Sequence, residues 1–317
     1  MARQKIKHPY SSYIHRRAIL RLFAIGLLIY LIAAGLSGLK LIVSAISSAD
    51  LVPLLLAGCA VALSFACAAG TYILLSPRRL PVVPTFLVQV ATGLVNRLLP
   101  SGLGGLGLNA FYLKKRGYSL ASSTVIVAAN NTVGFIGNLL LLMIIGVFLP
   151  FSIPDLRFPG IPISVYAALI VAGLAAAWLI RRSRTLSVEL VHIFHEMQTY
   201  IRAAAGQPLR TSAALLCSST LTALHALAMY LVLLSVGAEI DWPVALLAIS
   251  LGALAGALIP TPGGIGGAEA GIAAALIAFS IPAPVAVTAA LLYRGLTYWT
   301  PLLPGYFAFQ VVERRYL

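Results

Sequence analysis

The sequence predicts an all-α polytopic membrane protein, an inverted repeat of transmembrane helices with two re-entrant, broken helical hairpins. Three observations predict it. The 317-residue chain is 60% hydrophobic and only 9% charged, and its apolar residues gather into runs of about twenty, the length that crosses the hydrocarbon core of a bilayer. Two strings, LLPSGLGGLGLNA at 98–110 and LIPTPGGIGGAEAG at 258–271, set a helix break inside such runs. Slid onto one another at a constant offset, they pair Pro100 with Pro260, Ser101 with Thr261, Gly104 with Gly264 and Asn109 with Glu269. A duplicated proline and glycine break in the two halves of an apolar chain points to a transporter-type site made of interrupted helices near the membrane midplane.

The elements follow in order. Residues 1–17 are a basic tail, and the apolar run after them is too long, and too poor in a small-residue cleavage site, for a signal peptide. A retained first helix is expected over about 18–43 and a second over 51–75, with Arg78 and Arg79 marking a return to the cytoplasmic side. The run at 81–99 should stop at Leu99, because Pro100 disfavours helix in the residue before it. From Gly102 to Tyr112 the chain is too short to cross at 1.5 Å per residue, and Lys114, Lys115 and Arg116 follow at once. A re-entrant hairpin over 81–113, breaking from Pro100 to Gly105, accounts for both facts and completes a first repeat over 18–148.

The second repeat spans 161–309. A helix at 119–148 leads outward to the loop PFSIPDLRFPGIP, and residues 161–180 cross back to Arg181, Arg182 and Arg184. Over 185–206, Leu186, Leu190, Ile193, Phe194, Met197 and Ile201 recur at helical spacing, which predicts an amphipathic helix lying at the cytoplasmic interface. Residues 211–236 cross outward to Glu239 and Asp241. The second hairpin, 243–281, then enters from the outside, and 284–309 return to the cytoplasmic end 310–317 with Arg314 and Arg315. Of the 22 Lys and Arg residues, this topology leaves Lys40 and Arg157 outside, Arg97 and Arg294 in the membrane, and the rest inside, as the positive-inside rule requires.

The charge balance excludes other classes. A net charge of +14 might suggest nucleic acid, but no soluble domain presents a basic face. Cys59, Cys67 and Cys217 lie in apolar segments without CxxC spacing, so neither disulfides nor zinc is indicated. No GxSxG elbow, P-loop, HExxH or carboxylate pair is present, and no cofactor is implied. The nearest approach to a metal cluster is Glu189, His192, His195 and Glu196, which fall where the amphipathic segment needs a solvated face.

Candidate site residues follow from the breaks. Glycines at Gly104, Gly105, Gly264 and Gly267 permit a turn, and helices restarting after Gly105 and Gly267 would aim N–H groups and a positive dipole end at an anion such as phosphate. The same glycines also suit close helix packing, as do Gly252 and Gly256. Arg97 and Arg294 are costly in a membrane, by at least about 2.5 kcal/mol at a helix centre, and so are functional candidates; a guanidinium suits bidentate phosphate binding. Glu269 would pair an arginine, meet a headgroup amine or carry a proton, and Asn109 is its counterpart in the first string. Asn96, Asn130, Asn131, Asn138 and His225 are further polar residues in apolar runs, where interhelical hydrogen bonding is their ordinary role.

The two strings, with LLPSGLGGLGLNAFYLKKRG in the first half and the run 283–294 ending in LLYR in the second, resemble the transmembrane domain of lysylphosphatidylglycerol synthase/flippases, the membrane part of multiple peptide resistance factors, and the standalone flippase-like proteins of that family. The resemblance covers about residues 20–310. It implies a multi-pass protein of the bacterial inner membrane with both termini cytoplasmic, a flippase or transporter of a polar lipid, anionic or aminoacylated. Fused members carry a cytoplasmic aminoacyl-transferase domain after the membrane part; the expectation here is the translocating half and not an enzyme. Members often place an acid beside an arginine where this chain has Asn130 and Asn131. Expected partners are a membrane phospholipid or other polar lipid, and a second copy of the chain or a lipid-synthesising protein. The alternatives are a membrane-embedded enzyme or accessory subunit of lipid or polyprenyl-phosphate metabolism, a small-solute transporter, or a scaffold.

Overall fold

Every regular element in the described residues is helical. The computed structural model describes residues 49–98, 103–148, 184–259, 261 and 263–316. The expected N-terminal tail, first helix, outer loop, crossing at 161–180 and the prolines at 100 and 260 lie outside the described residues. The first described helix, α1 (Leu51–Leu75), opens on Asp50, whose carboxylate accepts from Val52 N at 3.0 Å, a side-chain N-cap. Helices α2 (Val82–Leu98) and α3 (Leu103–Lys115) form the first hairpin, and α4 (Leu120–Phe148) follows it. After α5 (Arg184–Ala205) come α6 (Pro208–Ser235), then α7 (Trp242–Leu258) and α8 (Gly267–Ala278) as the second hairpin. Helix α9 (Ala283–Arg294) runs through a π-helical turn, Gly295–Trp299, into α10 (Leu302–Tyr316).

Helices α1, α4 and α6 are long and apolar enough to cross a membrane. They leave large apolar side chains such as Leu55, Phe135, Met143 and Leu216 uncovered, which only a hydrocarbon surrounding makes favourable. The chain is therefore a multi-pass membrane protein.

Both hairpins are antiparallel and held by glycine. Gly104 lies against Val95 and Gly105 against Asn96 and Thr92, while further along Tyr112 Oη meets Thr85 Oγ1 at 3.0 Å. As the number rises on α3 it falls on α2. In the second hairpin Gly252 faces Ile272, Gly256 faces Ala268 and Gly267 faces Ala255 in the same reversed order. Small residues at such contacts let backbones approach, and dispersion then supplies the attraction that the hydrophobic effect cannot supply in lipid.

The first hairpin restarts earlier than the sequence suggests. Helix α3 begins at Leu103, so Gly104 and Gly105 are helical and not part of the break. In the second motif, Gly263, Gly264 and Gly266 take φ of +61°, +70° and +86°. The positions aligned with Gly263 and Gly266 are Leu103 and Leu106, and a leucine there would be strained. The helix takes them instead, one turn sooner. The final crossing also differs from the unbroken run expected over 284–309: the π turn and Pro301 interrupt it, and the helix continues through 310–316 to Tyr316.

One end of the molecule is basic. The loop after α1 is the hub there: Arg78 Nη1 donates to Gly117 O at 3.0 Å, Tyr118 Oη accepts from Arg78 N at 2.8 Å, and Arg210 donates to Ile73 O at 3.1 Å. Arg116 lies over the rings of Tyr112 and Tyr316. Both feet of the first hairpin are thereby tied at this end. At the far end of α1, Asp50 N donates to Ser235 O at 2.7 Å, and the second hairpin starts seven residues beyond Ser235. Helix α5 turns Glu196 to Ser122 Oγ (2.9 Å) and Tyr200 to Leu75 O (2.9 Å), and leaves Val191, Phe194 and Ile201 exposed.

The packing predicts opposite outcomes for two neighbouring glycines. In Gly104→Ala the new Cβ would stand 2.3 Å from Val95 O, a backbone atom that cannot move aside, and thermal unfolding in detergent should show a loss of about 1–3 kcal/mol. Gly107 has nothing within 4 Å, so Gly107→Ala should be neutral or stabilising by up to about 1 kcal/mol. Equal effects would refute glycine-mediated packing of the hairpin.

Candidate functional site

A stripe of polar residues on α2 is the first component. Thr85, Gln89, Thr92 and Asn96 recur at three- and four-residue steps, so they share one face of an otherwise apolar helix. Asn109 of α3 meets this face: Gln89 Nε2 donates to its Oδ1 at 2.8 Å, and its Nδ2 donates to Gly105 O at 2.8 Å and Thr92 Oγ1 at 3.1 Å. Asn96 Oδ1 accepts from Gly105 N at 2.6 Å, serving one of the N–H groups that the start of α3 leaves without a helical partner. The stripe was legible in the sequence as a helical period, although only Asn96 among its members stood out singly.

Around this face lies a polar cavity of about 450 Å³. Helix α1 contributes Ser64 and Tyr72, α2 Gln89, Thr92, Asn96 and Arg97, α3 Gly105 and Asn109, α4 Asn130 and Asn131, α6 His225, and the π turn Thr297. The structure thus gathers Arg97, Asn96, Asn109, Asn130, Asn131 and His225 about one space. Asn138 stays apart, accepting from Ser250 Oγ at 3.2 Å. His225 Nδ1 also pairs with Tyr293 Oη at 3.1 Å.

Arg97 stands where it does because of a proline two hundred residues away. Pro301 has no N–H, so Thr297 O lacks the donor that an α-helix would offer four residues on, and in lipid such a carbonyl must be satisfied by protein. An Arg97 Nη2 donates to it. The guanidinium also lies over the Tyr298 ring at 5.3 Å, while its Nε is buried with no hydrogen-bond partner. Arg97 is the only Lys, Arg, Asp or Glu side chain lining the cavity among the described residues.

Glu269 and Arg294 form a second cluster behind the first. Glu269 is the third residue of α8, and its Oε2 accepts from Gly266 N at 2.7 Å, the carboxylate half of a capping box. Its Oε1 accepts from Arg294 Nε at 2.8 Å, and Arg294 Nη2 donates to Gly263 O at 2.9 Å. The pair is mostly buried, with side chains 14% and 20% exposed. Arg294 also lies over the Tyr298 ring, 4.7 Å from its centroid, so one aromatic residue engages both arginines, each contact contributing about 0.5–2 kcal/mol. Tyr298 was missed in the sequence, where it follows Arg294 at four residues.

The candidate site residues therefore divide. Arg97, Asn109 and Gly105 line the cavity; Glu269 and Arg294 brace the second break. Gly104 and Gly267 serve close backbone approach, and Gly264 with its positive φ forms the turn, its N donating to Thr261 O at 3.0 Å. Of the four residues considered for a metal, Glu196 holds Ser122, and the side chains at 189 and 192 lie outside the described residues.

A second cavity of about 590 Å³ adjoins the first. Phe86, Leu87 and Val90 of α2, Leu296 of the π turn and Phe307 and Val311 of α10 make it apolar, and Val61 and Phe65 of α1 line both spaces. A polar chamber and an apolar groove thus share one wall.

Comparison with known proteins agrees with the geometry. The model of the family described as lysylphosphatidylglycerol synthase TM region matches residues 19–305, and the chain belongs to this family. No curated protein matches the chain.

The brace predicts a non-additive cycle. Glu269→Ala should cost about 2–4 kcal/mol in thermal or denaturant unfolding, since it leaves Arg294 uncompensated and the Gly266 N–H unsatisfied. The double variant Glu269→Ala/Arg294→Met should be more stable than the two single losses together imply, by about 1–3 kcal/mol. Strict additivity would show that the two side chains do not act as a pair.

Proposed function

We propose that this protein is a lipid transporter, a flippase that carries a polar phospholipid between the leaflets of the bacterial inner membrane without altering it chemically. The observation that carries this reading is the shared wall: a polar chamber holding Arg97 and an apolar groove meet at Val61 and Phe65. A lipid is amphipathic in the same way. Its headgroup phosphate suits Arg97 and the amides around it, with charge-assisted hydrogen bonds that contribute about 1.5–3 kcal/mol each. Its chains suit the groove beside α2 and α10, where Phe307 is exposed to the surroundings.

The two helical hairpins act as re-entrant elements of an inverted repeat. The tie of both feet of the first hairpin to the basic end, and the start of the second beyond Ser235 at the other end of α1, support this. The basic end is the cytoplasmic one, with both termini there, and α5 rests on that interface with Val191, Phe194 and Ile201 turned to lipid. Family membership supports a lipid-related role.

Transbilayer movement of a fluorescent phosphatidylglycerol in proteoliposomes tests the reading. The wild-type protein should speed movement well above empty vesicles. Arg97→Gln should slow it about tenfold or more, the equivalent of one charge-assisted bond, and Val90→Trp should slow it by filling the groove while leaving the polar chamber intact. Wild-type movement no faster than in empty vesicles, or unchanged rates in both variants, would end the proposal.

A further inference from the structure

We infer that the lipid headgroup taken by the polar chamber is anionic and hydroxyl-bearing and lacks an ammonium group. The inference rests on the lipid-transport reading and narrows its substrate. The argument begins with what the chamber holds: one guanidinium, Arg97, and a ring of neutral donors and acceptors from Gln89, Thr92, Asn96, Asn130 and Thr297. The amide of Asn109 is already committed within the hairpin. Arg97 donates to a carbonyl and touches an aromatic face, and among the described residues its Nε has no partner and no acid pairs with it. It needs an anion.

Among the described residues no carboxylate lines the chamber to answer a headgroup amine. The chain has eight acids, and six of them have described side chains, all away from the chamber lining. Asp50 caps α1, Glu239 and Asp241 lie between α6 and α7, Glu313 is near the end of α10, Glu189 is in α5, and Glu196 holds Ser122. Glu269 has both oxygens engaged, by Arg294 and by Gly266 N. The first 48 residues contain no acid at all, and the stretch 149–183 contains only Asp155, in the loop PFSIPDLRFPGIP. An ammonium in the chamber would meet Arg97 as a like charge and find no protein carboxylate among the described residues, which discriminates against it. Hydroxyls are a different matter, since each amide offers both a donor and an acceptor. Phosphate on Arg97 and a polyol among the amides match the charge and the donors and acceptors of the lining.

Native mass spectrometry of the full chain in detergent, titrated separately with phosphatidylglycerol, phosphatidylinositol, phosphatidylethanolamine, lysylphosphatidylglycerol and free glycerol phosphate, tests this. Phosphatidylglycerol and phosphatidylinositol should bind about tenfold tighter than the two amine-bearing lipids. Asn130→Asp, which adds a carboxylate to the chamber wall, should erase most of that preference. Lysylphosphatidylglycerol binding as tightly as phosphatidylglycerol would overturn the inference and leave lipid transport standing, and so would an Asn130→Asp protein that keeps the wild-type preference. Glycerol phosphate binding as tightly as the lipid would assign the chamber to a soluble anion. Absence of binding by every lipid would overturn both readings together.

Discussion

Interrupted helices in lipid create one problem that the rest of this structure answers: backbone N–H and C=O groups without helical partners, in a medium where each unsatisfied group costs several kcal/mol. Among the described residues, five polar side chains serve as such partners. Asn96 serves Gly105 N, Glu269 serves Gly266 N, Arg294 serves Gly263 O, Thr261 Oγ1 serves Ile265 O at 2.9 Å and Arg97 serves Thr297 O. Remove the breaks and few of these residues would have a reason to be in the membrane.

The solution to the backbone problem is also what builds the site. A side chain that satisfies a break must come from a neighbouring helix, so the breaks draw polar faces together where the hairpins end. Arg97 joins the first hairpin to the π turn, and Tyr298 joins Arg97 to the Arg294–Glu269 pair. The two arginines are unlike in consequence. Arg294 has its charge compensated by Glu269 and is a brace, whereas Arg97 lines the polar chamber and has no acid partner among the described residues.

The same elements suggest where the structure can move. The π turn is a weaker stretch of helix, with Thr300 N bonded to Gly295 O at 2.9 Å and Pro301 following. It carries Thr297 to the polar chamber and Leu296 to the apolar groove. A shift of this one turn would alter both compartments at once, while the glycine contacts of the hairpins keep the flanking helices close.

The amino-acid sequence determined the helical class, the place of most described helices to within a few residues and the solitary charges, though not the π turn that divides the last crossing, because in lipid the backbone must satisfy itself and apolar length with proline and glycine decides where it can. The early restart of α3 was not expected, and it took the positive φ values of Gly263 and Gly266 to show why Leu103 and Leu106 cannot form the same turn. What only the tertiary structure decided was partnership. That Arg97 would meet a carbonyl freed by Pro301, that Glu269 would spend its two oxygens on Gly266 and Arg294, and that the stripe from Thr85 to Asn96 would share a cavity with Asn130 and His225, all depend on which helix faces come together. Packing in three dimensions sets that, and a one-dimensional period shows a face without showing what it meets.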